Sequence, residues 1–362
     1  MAESRREKTM DQIRIDSHKL IYHPERVAAW LAGKDIYPIY LEIGPAGSCN
    51  HRCIFCALDY LGYRKNLLET GRLKSFLGEA ARKGVKSVMY AGEGEPLLHR
   101  EIAGIINHTR GLGIDVALTT NGVLFKPELA RECLGSLTWM KVSLDAATPE
   151  TYARVHGCPP GDWRRVMENL KAAVALRAER KYAATIGVQL LLLPENCEEV
   201  AELAGQLQAI GADYLVVKPY SQHPKSGHRR PKGFNYARFQ KLERELEQFQ
   251  TDRFQVFFRA RAMGKLNRAR TYRRCLGLPF WAYLDAAGNL WACSAYLGDR
   301  DFLYGNIYQA TLGEIWTGRR RREVQARVAR MDTGRCREIC RLDEINAYLW
   351  ELKHPSAHVN FI

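Results

Sequence analysis

The chain has 362 residues, 46% of them hydrophobic, and a formal net charge of +14. That length suits one large domain with a smaller one, and no apolar run reaches the ~20 residues that span a bilayer. The N-terminus, Met-Ala-Glu-Ser-Arg-Arg-Glu-Lys, is charged with no apolar stretch behind it, so no secretory signal or membrane anchor is expected and the cytoplasm is the default compartment.

The basic residues are dispersed apart from residues 229–232 and 319–322, which reads as a solvated surface; nucleic acid is not an expected partner. In chain order, residues 24–33 form a short helix opened by Pro24 and closed by Gly33. Apolar runs at 39–43, 87–91, 116–119, 140–144, 186–192 and 214–217 read as strands, and Pro38 suits the start of the first. Amphipathic stretches lie between them, such as Leu73, Phe76, Leu77 and Ala80, or Val200, Leu203, Ala204, Leu207 and Ile210. Strands alternating with helices predict βαβ units on a parallel sheet, with chemistry at the strands' C-terminal ends. Six units are too few for a closed eight-stranded barrel, so a partial barrel or doubly wound sheet is expected. Residues 221–232 form a Pro/Gly/basic connector. Phe239, Leu242, Leu246 and Phe249 mark another helix. From Cys275 the texture changes to short aromatic strands around the turn Asp285-Ala-Ala-Gly-Asn289, then a helix near 312–316.

Ten cysteines in a reducing compartment point to metal or catalysis rather than disulfides. Seven fall into two groups. Cys49-Asn-His-Arg-Cys53-Ile-Phe-Cys56 directly follows the first strand. Three thiolates there could hold an iron–sulfur cluster with one iron lacking a protein ligand. Zinc with His51 as fourth ligand, or a cluster completed by a remote cysteine, are the alternatives. Cys275, Cys293, Cys336 and Cys340 could converge on one fully ligated metal, cluster or zinc. Cys133, Cys158 and Cys197 stand alone and read as small buried hydrophobes, though Cys158 could donate a hydrogen atom in an epimerisation.

The first cysteine loop, with its aromatic Phe55, resembles the radical S-adenosylmethionine (SAM) superfamily. The resemblance implies a [4Fe–4S] cluster on Cys49, Cys53 and Cys56, with SAM chelating the open iron and Phe55 beside the adenine. One electron, from a flavodoxin- or ferredoxin-type donor, would cleave SAM to a 5′-deoxyadenosyl radical that abstracts a substrate hydrogen. Ala91-Gly-Glu-Gly-Glu-Pro96 resembles the family's Gly-Gly-Glu-Pro motif with Glu93 in place of the first Gly. It assigns Glu95 to the SAM amino group and Gly94 to close backbone approach. Thr119-Thr-Asn-Gly122 and Ser143-Leu-Asp145 match strand ends that contact SAM, which nominates Asn121, Ser143 and Asp145, with Arg154 for the SAM carboxylate and Gln189 as a further contact.

The later cysteines resemble the twitch domain, a shortened SPASM domain, which implies one auxiliary [4Fe–4S] cluster. The expected organisation is an N-terminal extension (1–36), a partial (β/α)6 TIM-like barrel (37–222), a connector and helix (223–272), a β-hairpin/helix twitch domain (273–345) and a tail (346–362). The tail is apolar enough to dock back, with His358 near the site. A fully ligated auxiliary cluster suits electron transfer. The resemblance therefore points to dehydrogenation of a carbohydrate, aminocyclitol or nucleoside-like small molecule, with a redox-neutral epimerase or decarboxylase as the variant. A peptide maturase would need a docking module before the barrel; RNA modification rests on charge alone; a non-catalytic zinc protein is the alternative of another class. Lys218-Pro-Tyr-Ser-Gln-His223 follows the sixth strand. It offers Lys218, Tyr220 and His223 as candidate catalytic groups for a polar, anionic or sugar-like substrate.

Overall fold

The computed structural model describes residues 17–228 and 234–361. Residues 1–16 of the extension, the basic stretch 229–232 and Ile362 lie outside the described residues.

Seven strands run in chain order: β1 (Tyr40–Ile43), β2 (Ser87–Tyr90), β3 (Asp115–Thr120), β4 (Trp139–Ser143), β5 (Thr185–Leu192), β6 (Tyr214–Pro219) and β7 (Gln255–Phe258). Each pairs in parallel with the next. β7 lies inside the stretch 223–272, expected to be connector and helix. Its four residues are too short and too weakly alternating to separate from the preceding helical segment on pattern alone.

The later strands are β8 (Trp281–Leu284), β9 (Asn289–Trp291) and β10 (Leu303–Asn306), and the sheet order is β10-β9-β8-β1-β2-β3-β4-β5-β6-β7. β8 pairs parallel with β1, Tyr40 opposite Trp281 and Ile43 opposite Leu284. β9 and β10 then add antiparallel. The cysteine hairpin, expected as a small separate unit, thus extends the barrel sheet through β1. Among the described residues β7 and β10 do not pair, so the α/β sheet is open, as a partial barrel requires.

One sheet face is covered by helices. Leu41, Ile43, Val88, Val116, Val142, Val188, Leu215 and Val217 share a buried cluster with Leu77, Ile106, Leu170 and Leu203 from the flanking helices. Alternation along each strand sends the intervening residues to the other, inner face. Its floor is aromatic. Tyr40 stacks with Trp281 at 6.3 Å, and Tyr214 meets Phe257 edge-on at 6.1 Å. Gly187 leaves room for the Tyr214 ring, whose nearest atom would lie 2.1 Å from a Cβ there.

Below the floor, Leu20, Val27, Ile36 and Ile39 pack on Phe280 and on Leu349 of the helix Asp343–Lys353. The tail does not dock: Val359 and Phe361 are 57% and 82% exposed, and His358 is exposed with them. The arginine run 319–322 is not uniformly solvated either. Arg321 is buried, lies 4.2 Å over the Trp316 ring and donates to the Trp316 carbonyl at 2.9 Å.

Candidate functional site

The loop bearing Cys49, Cys53 and Cys56 is fixed from three sides. The Arg52 and Ile54 amides each donate 3.0 Å to the carbonyls of His156 and Val155, at the end of the helix Pro149–His156. That helix closes on Gly157 at φ +57°, where a Cβ would lie 2.3 Å from the Arg52 carbonyl, so only glycine serves. Asn121 donates to the Asn50 side chain at 2.7 Å. Behind the loop, the Glu95 amide donates to the Ser48 carbonyl at 2.8 Å, and a Cβ on Gly94 would lie 2.2 Å from that same oxygen.

Burial pushes the Cys49 thiol up to about 11 and holds Cys53 well above the usual thiol range, and the Cys56 sulfur adds to both shifts. Thiols held this high ionise only when a metal supplies compensating charge. The ligand atoms of His51, Cys53 and His156, and of His51, Cys158 and Asp162, lie within 4.8 Å of one another. Among the described residues no three of the cysteines come so close. A tetrahedral zinc with Zn–S of ~2.3 Å draws its sulfurs to within ~4 Å, so this wider spread suits a multi-iron cluster. The His51 Nε2 lies 3.2 Å from Asp162 Oδ2.

His156 is buried beside the loop. Its Nε2 accepts the Asp145 amide at 3.2 Å, which leaves the ring proton on Nδ1, and Nδ1 lies 3.4 Å from Cys53 Sγ. In that tautomer the ring directs its N–H at the Cys53 sulfur. Phe55 contacts the same ring edge-on at 5.5 Å.

The second set gathers Cys275 before β8, Cys293 after β9, and Cys336 and Cys340 before the last helix. Burial and then the sulfurs of Cys340, Cys275 and Cys336 hold the Cys293 thiol well above its usual range, which brings the four together. Asn346 organises this corner. Its Oδ1 accepts the Leu276 and Gly277 amides at 2.7 and 2.8 Å, and its Nδ2 faces Cys275 Sγ at 3.7 Å. The Leu342 amide faces Cys340 Sγ at 3.3 Å, and the Tyr296 hydroxyl lies 3.5 Å from Cys336 Sγ.

Several residues nominated from sequence are committed to the fold. The Glu95 carboxylate accepts from Thr120 Oγ1 (2.6 Å), the Asn121 amide (2.8 Å) and the Leu97 amide (3.1 Å), tying the ends of β2 and β3 together. Asp145 is buried, accepts the Leu191 amide at 2.5 Å and lies 3.2 Å from His156 Nε2. Arg154 is exposed and donates to the Glu195 carbonyl at 3.1 Å.

His223 has both nitrogens engaged. Nε2 donates to the Ala295 carbonyl at 3.0 Å, Nδ1 accepts the Lys225 amide at 3.1 Å, and the ring stacks on Tyr60 at 5.0 Å. Burial lowers its pKa, so it is a neutral fastener rather than an acid–base group. Its loop bridges both cysteine regions, since Ser226 also donates to the Cys56 carbonyl at 3.2 Å. The Tyr220 hydroxyl donates to Gln222 at 3.1 Å. Ser143 and Gln189 are register partners on the inner face, and neither side chain has a hydrogen-bond partner among the described residues.

Sequence pattern also passed over inner-face groups. Glu42 on β1 and Lys141 on β4 alternate with helix-facing residues, and an ionisable side chain on an otherwise apolar strand was the available signal. Arg341 donates 2.8 Å to the Tyr40 hydroxyl and 3.1 Å to Glu42 Oε1. Arg337 donates 3.0 Å to the Ser221 carbonyl. These arginines flank Cys340, so the second cysteine loop closes over the inner face.

Comparison with known proteins completes the site. Residues 43–207 match the family model of the radical SAM superfamily, and residues 275–341 that of the SPASM iron–sulfur cluster-binding domain. A GTP 3′,8-cyclase of Clostridium acetobutylicum is 36% identical over 121 residues, 32% of this chain and 37% of that protein. An AdoMet-dependent heme synthase of Methanosarcina barkeri is 24% identical over 287 residues, 74% of this chain and 79% of that protein. The match to the cyclase thus spans little more than a third of that relative's length. Among solved structures, Streptococcus suis SuiB bound to S-adenosylmethionine superposes with a TM-score of 0.63 at 17% identity, covering 88% of this chain and 76% of its own. anSMEcpe with bound AdoMet gives 0.58 at 17% identity, covering 87% and 95%. At these identities the structures establish the fold.

Proposed function

We propose that the chain, whose residues 43–207 match the radical SAM superfamily and 275–341 the SPASM iron–sulfur domain, is an enzyme removing a hydrogen atom from a polar small molecule seated on the inner face. When bound, SAM and the two clusters supply a one-electron cleavage, hydrogen-atom abstraction and an acceptor for the electron the substrate then gives up. Cys49, Cys53 and Cys56 hold the first cluster and Cys275, Cys293, Cys336 and Cys340 the second. The chain's other residues position and enclose.

The observation that carries this reading is the closure of the second cysteine loop over the barrel. Arg337 and Arg341, either side of Cys340, reach Ser221 and Glu42, so a molecule on the inner face lies between the two cysteine regions. The aromatic floor keeps water from below, and Ser143 and Gln189 offer unengaged polar groups at the strand ends. Enclosure matters because radical chemistry is quenched by competing hydrogen donors. The relatives named for GTP and heme act on small molecules, which supports that class of substrate.

The test is anaerobic reconstitution with iron and sulfide, then incubation with reductant, SAM and candidate sugars, nucleotides or carboxylates. Release of 5′-deoxyadenosine, raised by a substrate that loses two daltons, is the expected result. No 5′-deoxyadenosine from a fully loaded enzyme would refute the reading.

A further inference from the structure

The inner face carries more positive charge than its own carboxylate can balance. Lys141, on β4, sits 5.4 Å over the Trp139 ring. Lys218, on β6, has no hydrogen-bond or ion-pair partner among the described residues, yet it is half-buried rather than projecting into solvent. Arg337 and Arg341 lean in from the second cysteine loop, and Arg259 follows β7. Among the described residues, the carboxylate that Lys141, Lys218 and Arg341 share is Glu42, which is buried, and Arg341 already pairs with it.

Charges enclosed without counterions are costly. Proteins relieve that cost by depressing the lysines' pKa or by taking up an anion. The first signature is present. Burial, then the charges of Lys141, Arg259, Arg337 and Arg341, holds Lys218 well below the usual lysine range. Burial, then Arg341, brings Lys141 down to about 8. Arg337 is partly served by the second cysteine set, since Cys340 raises its pKa. The largest influences on Lys218 after burial are all cationic.

We infer that the space between Lys218 and Lys141, roofed by Arg337 and Arg341, is an oxyanion subsite, and that the substrate carries a carboxylate or phosphate seated there. This rests on the small-molecule reading above and names the substrate's anchoring group. The reacting carbon is then placed by an ionic anchor on the β4–β6 side, while the first cysteine loop lies on the β1 side. A neutral polyol lacks that anchor.

The test is calorimetric titration of the anaerobically reconstituted full chain, at physiological salt, with pyrophosphate, citrate and the neutral polyol myo-inositol. One equivalent of pyrophosphate or citrate binds and myo-inositol does not. Pyrophosphate alone identifies a phosphate anchor, citrate alone a carboxylate anchor. Lys218→Met and Lys141→Met each weaken binding by about tenfold or more, as loss of a charged hydrogen-bond partner entails, whereas Lys218→Arg retains it. If neither anion binds wild type, or if both methionine variants bind as wild type does, the anions find only the outer surface and the subsite is refuted. If Lys218→Met cannot be purified folded, Lys141→Met and Lys218→Arg decide. Wild-type enzyme that releases 5′-deoxyadenosine but binds no anion sinks the subsite alone; anion binding with no SAM cleavage sinks the activity alone.

Discussion

The Glu93 carboxylate, on the loop after β2, accepts hydrogen bonds from the Tyr283 hydroxyl of β8 and, at 2.7 Å, from the Ala286 amide of the cysteine hairpin's turn. Gly44 lets it pass, since a Cβ there would lie 2.2 Å from Glu93 Oε2. The strand end beside the first cysteine loop is thereby bolted to the hairpin carrying Cys293. Burial lifts Glu93 to about 7. A carboxyl whose pKa is raised by folding stabilises the fold fully below its unfolded value near 4.5, and that contribution fades as pH rises through about 7. The linkage is worth roughly 3 kcal/mol. Glu93→Gln should therefore unfold near the wild-type urea midpoint at pH 5 and gain ~1–2 kcal/mol on it at pH 8. A pH-independent difference would show that Glu93 does not titrate in the fold.

His156 should tune the first cluster. A donor to a ligand sulfur favours the reduced, more negative state, so His156→Ala should lower the midpoint potential by roughly tens of millivolts, because only the difference in hydrogen-bond strength between oxidation states counts. Redox titration followed by electron paramagnetic resonance reads this directly. An unchanged potential in a fully loaded variant removes the assigned tautomer's role.

Gly94→Ala places a Cβ against main-chain oxygens of Ser48 and Ala46, at 2.2 and 2.3 Å, which cannot swing aside as a side chain could. Stability should fall by more than ~2 kcal/mol. Iron content should drop from about 8 to about 4 per chain as the first loop loses its register. Retention of both clusters would mean the loop tolerates the shift.

Replacing Cys275 and Cys340 together by Ala should also leave about 4 irons, but from the other site. The first loop's supports (His156, Asn121, Gly94) come from other elements, so it should still load. SAM cleavage should persist while substrate oxidation fails. Oxidation at the wild-type rate would end the electron-acceptor role.

Anion affinity should follow Lys141. The charged groups facing it are Glu42 from β1, Arg341 from the second cysteine loop and Arg259 beyond β7, with Lys218 on β6 beside them. Lysine binds an oxyanion as the ammonium, so affinity should hold below pH about 8 and decline above it. Lys141→Gln should flatten the profile. An equally steep decline in that variant would assign the titration elsewhere.

The six strand centres, the cysteine spacings and the Gly-Glu-Gly-Glu-Pro turn were legible because they are local. Alternation, thiolate count and backbone freedom follow from neighbouring residues in one chain segment. From them came the α/β class, the two metal sites and the chemistry they imply. What lay beyond reach was long-range. Nothing near Trp281 says that it will pair with Tyr40, and nothing near His223 says that Ala295 will take its proton. Glu95, Asp145 and His223 looked like free functional groups because a side chain's availability depends on donors and acceptors that only folding brings to it. Lys218 stood out in sequence after the sixth strand, but Lys141, Glu42, Arg337 and Arg341 did not, and what these residues do together comes from enclosure. Charge is cheap on a chain in water and expensive inside a barrel, so only the tertiary structure could turn five scattered residues into a site that wants an anion.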